Sequence, residues 1–169
     1  MPGTYEKIAS TTLGSSSSTI SFSSIVDTWT DLRLVILCQN ANSAYNVNLR
    51  FNSDSGNNYL LTRLYANGSG FGTTRTNTTH AQLSYYGMAY QANSNWSFIS
   101  VDVFNYKNTN VKKSFIVDTP EKYGGSGYTS KSMGLWNSTA AINEVNFILS
   151  GGNFATGTQA TIYGIKAAE

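Results

Sequence analysis

The chain has 169 residues, of which 40% are hydrophobic and 13% aromatic, enough for one packed domain without disulfides or metal. Only 12% are charged and the net charge is +2, so the polar surface must be built largely from Ser, Thr and Asn. Lys112-Lys113 is the sole adjacent basic pair, which excludes the concentrated basic face that nucleic-acid binding needs. The apolar run Leu34–Cys38 falls far short of the roughly twenty residues that cross a bilayer as a helix.

The opening stretch, MPGTYEKIAS, has no basic segment followed by an apolar one, so no secretory signal is expected. Period-two patterning then takes over. Ile20 and Phe22 alternate with Ser and Thr in TISFSSI, and LRLVILCQ is a nearly continuous apolar run, as in a strand buried on both faces or at a sheet centre. Cys38 closes that run; as the one cysteine it reads as a buried small hydrophobe in a protein made in a reducing cytoplasm. Val47, Leu49 and Phe51 alternate in NVNLRFN. Further strands are expected over Tyr59–Tyr65, Trp96–Val103, Val111–Val117 and Tyr128–Trp136, then in NEVNFILS and over Thr158–Ile165. Between them lie the turn clusters NSDSGNN, ANGSGFG, QANSN, NYKNTN, EKYGGSG and SGGNFATG, rich in Gly and Asn, which tolerate positive φ. No window shows a 3.6-residue apolar stripe. The expected fold is all-β, one domain over residues 1–169: an antiparallel β-sandwich, jelly-roll-like, of about eight to ten strands.

Candidate chemistry is sparse. His80, the one histidine, has no neighbouring nucleophile or orienting group, and one His with one Cys cannot make a structural zinc site. Asp27 and Asp31 bracket the turn DTWTD and read as turn residues; Asp102, between Val101 and Val103, points away from the core or across a strand pair. Asp54, in NSDSGNN, has oxygen-rich neighbours but reads first as part of a hairpin turn, since a hard cation wants several carboxylates or carbonyls at fixed positions. The Gly-rich pieces lack the Lys-Ser/Thr and the helix of a phosphate loop. The four Asn-x-Ser/Thr triplets, at Asn67, Asn77, Asn95 and Asn137, follow from composition rather than glycosylation. No catalytic residue, cofactor or metal is expected. The cluster Tyr85-Tyr86-Gly87-Met88-Ala89-Tyr90 supplies the candidate contacts, Tyr85, Tyr86, Met88 and Tyr90, for a protein interface or a sugar; the same rings could equally fill the open end of a sandwich.

In order along the chain stand YEKIASTTLGSSSSTISFSSI, TWTDLRLVI, RFNSDSGNNYLLTRLYANGSG, VDVFNY, GLWNSTAAIN and GGNFATGTQATIYGIKAA. Taken together these pieces resemble a family of small phage virion structural proteins, and the likeness runs from Tyr5 to Ala168. Val26 and Trp29 stand where such sequences often carry Pro and Tyr. The resemblance implies a non-enzymatic β-sandwich on a bacteriophage particle, made in the host cytoplasm. It leaves the location open between a capsid decoration (cement) protein on the outer head surface and a tail-fibre or receptor-binding module that recognises host glycans. The decoration reading implies the major capsid protein as partner and a homo-oligomer, for instance a trimer, with neither nucleic acid nor membrane involved. The chain shows no collagen-like repeat or heptads that would build a shaft. A depolymerase or peptidase is disfavoured by the acid and histidine inventory.

Overall fold

A computed structural model describes residues 5–41, 45–84, 96–123 and 126–166, with backbone alone for 121–123 and 126. Twelve strands are present among these residues: β1 (Tyr5–Thr12), β2 (Thr19–Phe22), β3 (Asp31–Cys38), β4 (Val47–Phe51), β5 (Tyr59–Ala66), β6 (Phe71–Thr78), β7 (Ala81–Gln82), β8 (Ser97–Val103), β9 (Lys113–Tyr123), β10 (Ser126–Trp136), β11 (Val145–Leu149) and β12 (Gln159–Ile165). They form two antiparallel sheets packed as a sandwich. The larger has eight strands in the order β1-β12-β3-β8-β9-β10-β5-β6, the smaller four in the order β2-β11-β4-β7. The chain passes repeatedly from one sheet to the other, and β1 and β12, far apart in sequence, are neighbours in the larger one. This is the jelly-roll-like sandwich expected from the alternation. No helix among the described residues is long and apolar enough to cross a membrane.

Alternation explains the core. Leu32, Leu34, Ile36 and Cys38 of β3, Ile99, Val101 and Val103 of β8, and Ala160 and Ile162 of β12 face Ile20, Phe22, Val47, Leu49, Phe51, Val145 and Phe147 of the smaller sheet. Each large side chain so enclosed contributes about 1.5–3 kcal/mol. β3 lies between β12 and β8, at the centre of its half of the sheet. Its second face, with Arg33, Val35 and Leu37, is only partly covered.

At one end of the sandwich Phe51, Tyr59, Phe115 and Trp136 form an aromatic cluster, with Phe51 edge-on to Phe115 at 5.8 Å and Tyr59 stacked on Trp136 at 6.5 Å. Gly134 is paired with Phe115, and a Cβ at Gly134 would come within 2.1 Å of that ring, so only glycine leaves room for it. Gly164 does the same for Trp29, at 2.2 Å.

The strands beyond the expected eight to ten have physical reasons for escaping the pattern. β6, FGTTRTNT, carries one large apolar residue in eight because it is an edge strand with both faces partly in water. β7 is two residues long. β1, YEKIASTT, is likewise an edge, interrupted by a bulge between Lys7 and Ala9. β2 stops at Phe22, two residues before Ser24 takes a positive φ of 58°. β9 extends past the apolar run through Pro120: β8 pairs only Phe115 to Asp118, so the N–H that Pro120 lacks is missing from a stretch with one neighbouring strand.

Candidate interaction surface

Several of the polar groups singled out in the sequence, Asp54 and Asp31 among them, are held in structural hydrogen bonds. Phe51-Asn52-Ser53-Asp54 is a tight turn with Asn52 and Ser53 at φ of 51° and 54°, closed by the Asp54 N–H donating to the Phe51 carbonyl at 2.9 Å. The Asp54 carboxylate accepts from the Gly56 N–H at 2.8 Å, the Asn58 amide at 2.9 Å and the Trp136 indole at 2.7 Å. Burial raises its pKa, but those three donors and the nearby Arg50 outweigh it and hold the carboxyl below its ordinary value. Asn52 ties the same turn to the opposite loop, its side chain accepting from the N–H groups of Asn143 and Glu144 and donating to the Ala141 carbonyl. Asp54 thus anchors a turn that carries the chain from β4 in the smaller sheet to β5 in the larger; these strands do not pair, so the turn is not the hairpin expected from the sequence. Among the described residues no three His, Cys, Asp or Glu side chains gather as metal ligands.

Asp31 accepts from the Asn105 N–H at 2.7 Å, and Asp102 lies across from Arg33, with 3.5 Å between the charged atoms. His80 is half-buried beside Thr79, and burial, then Arg50, pulls its pKa down. Cys38 is wholly enclosed, and burial pushes its thiol up. A polar cleft of about 470 Å³ opens between Asp27–Thr30 and Asn105–Asn110. Lys107 donates there to the Asp27 carbonyl at 2.9 Å, and the Asn110 N–H to Asn108 Oδ1 at 2.8 Å.

The two sheets differ most in their outer faces. β5 turns Tyr59, Leu61 and Arg63 inward, and therefore Leu60, Thr62 and Leu64 outward. The register aligns Leu60 with Leu135, Thr62 with Met133 and Ile116, and Leu64 with Lys131 and Asp118. β6 adds Phe71 beside Ala66. Leu64, Met133 and Phe71 are 59%, 67% and 89% exposed, so an apolar patch stands in water on a regular sheet. Two ion pairs lie in the same face, Lys131–Asp118 at 3.0 Å and Arg33–Asp102. Beyond them Leu37 pairs with Phe98, and Tyr5 stacks on Tyr163 at 4.8 Å. The smaller sheet's outer face is polar: Thr19, Ser21, Asn48, Arg50 and Asn146, with Ile148 between Asn48 and Thr19.

Tyr85, Tyr86, Met88 and Tyr90, the contacts anticipated from the sequence, lie outside the described residues. The apolar outer face was not anticipated, although YLLTRLYA carries its signal: large apolar residues occupy both alternation sets, Tyr59 and Leu61 as well as Leu60 and Leu64.

No family model matches the chain, and no curated protein does. Among solved structures, the galectin LEC-6 of Caenorhabditis elegans is similar at 12% identity, over 94% of this chain and 96% of that one, with a TM-score of 0.30. A score that low carries no argument. The fold rests on the strand pairing itself.

Proposed function

We propose that the chain is a non-enzymatic structural protein of a bacteriophage particle, a decoration protein seated on the outer head surface and binding the major capsid protein. The observation that carries this reading is the contrast between its two outer faces. The eight-stranded sheet presents Leu60, Leu64, Phe71 and Met133 with two ion pairs, whereas the outer side of the four-stranded sheet carries the polar residues Thr19, Ser21 and Arg50, with Asn48 and Asn146 shielded from water between them. A slab with one adhesive and one polar face suits a molecule laid flat on a lattice. The ordered motifs from Tyr5 to Ala168 agree with it. Whatever binds the assembled lattice alone stabilises it by mass action, and a net charge of +2 permits close packing of copies. No cofactor is required.

A second reading, a tail-fibre or receptor-binding module for host glycans, is favoured by the polar cleft of about 470 Å³, whose Asn, Asp and Lys side chains suit sugar hydroxyls.

Immunogold labelling of intact particles tests both. Gold spread evenly over the head supports decoration, and Leu64→Asp with Met133→Asp should then abolish binding to heads while the purified variant keeps its β-sheet spectrum. Gold confined to the tail or fibres overturns decoration, and Asp27, Lys107, Tyr85, Tyr86 and Tyr90 become the positions to mutate.

A further inference from the structure

The eight-stranded sheet ends in two unlike edges. β1 is blunted: it carries a bulge between Lys7 and Ala9 and the charges of Glu6 and Lys7, devices that discourage edge-to-edge pairing. β6 has no bulge. It pairs with β5 residue for residue from Phe71 to Thr78 without a shift in register, contains no proline, and bears one charge, Arg75. Its other edge pairs with no strand among the described residues. Such an edge is a row of backbone donors and acceptors waiting for a strand.

We infer that β6 pairs antiparallel with β6 of a second copy of this chain, joining two eight-stranded sheets about a two-fold axis perpendicular to them. The sequence of β6 favours its own copy as the occupant. Side chains alternate faces, so the copies can share their outer faces only in registers that set outward residues opposite outward residues. Centring on Arg75 would place two like charges opposite each other. Centring on Thr74 pairs Phe71 through Asn77 with the partner's Asn77 through Phe71, and sets Arg75 across from the partner's Thr73. Phe71, 89% exposed in the single chain, then lies diagonal to the partner's Arg75, at the roughly 7–8 Å that an aromatic and a long cation can bridge. A ring built through β6 and β1 is opposed by the blunted β1 edge, so the geometry points to a pair of chains and not to a trimer. Because the axis is perpendicular to the sheet, both copies present Leu60, Leu64 and Met133 to the same side. The pairing is a property of the free chain and does not rest on a virion role.

Sedimentation velocity over a concentration series of the purified chain tests it. The wild type should show a monomer–dimer equilibrium. Thr73→Arg sets Arg opposite Arg twice per dimer and should weaken association roughly tenfold. Thr73→Arg combined with Arg75→Glu creates two opposite-charge pairs and should restore it. Both positions are exposed, and circular dichroism checks that the variants stay folded. A wild-type chain that stays monomeric at every concentration overturns the inference. So does a Thr73→Arg chain that associates like the wild type, or a double variant as weak as the single.

Discussion

Among the described residues Lys113 meets no carboxylate: it is fully buried, and its ammonium donates to the carbonyl oxygens of Asn108, Val111 and Thr139. Burial pulls its pKa down, while the three carbonyls give the charge the oxygen shell it lost from water. Lys113→Met keeps the stem but leaves three carbonyls unpaired, and should cost about 2–4 kcal/mol in urea unfolding. In the sequence Lys113 was half of a basic pair, with nothing to distinguish it from Lys112. Its role exists only because the loops Asn105–Val111 and Asn137–Asn143 close over it. His80 behaves in the opposite sense to a paired histidine. Burial and then Arg50 depress its pKa in the folded chain. The unfolded chain therefore takes up a proton first as pH falls through about 6.5. Stability is complete above that value and declines below it. His80→Gln should flatten the thermal-stability profile between about pH 7 and pH 5.

At the scale of elements, β12 shows how much depends on one strand. It pairs with β1 on one side and β3 on the other, and it places Ala160, Ile162 and Gly164 against the core. The alternation of QATIYGI carried this assignment, because a strand with one buried face must repeat every two residues. Deleting Thr161 onward removes Ile162 and exposes two edges, so the truncated chain should show no cooperative melting transition. Tyr163→Ala, on the outward face of the same strand, loses a stack on Tyr5 and should cost only about 0.5–1.5 kcal/mol. The turn at Asp54 was legible for a similar reason, since NSDSGNN supplies residues that accept positive φ. Which donors its carboxylate would find was not legible, because Trp136 is 82 residues away. β6 was hidden by its position: an edge strand wetted on both faces has no need of apolar alternation.

For the whole molecule, the pairing of β1 with β12 and of β5 with β10 means that distant segments must meet before the larger sheet can exist. Loop-closure entropy is then spent before contacts reward it, and refolding should be slow, in the range of about milliseconds to seconds by stopped-flow fluorescence of the tryptophans. A microsecond phase carrying the full amplitude would contradict this. The amino-acid order alone set the class of fold and most of the core. Those follow from local alternation, which acts through the geometry of a strand and needs no knowledge of its neighbours. Tertiary structure alone decided the order of strands, which sheet covers which, and where apolar residues are left in water. Leu60, Leu64 and Met133 resemble core residues in sequence, yet the smaller sheet can cover only one face of the larger, and the register turns these three to the other.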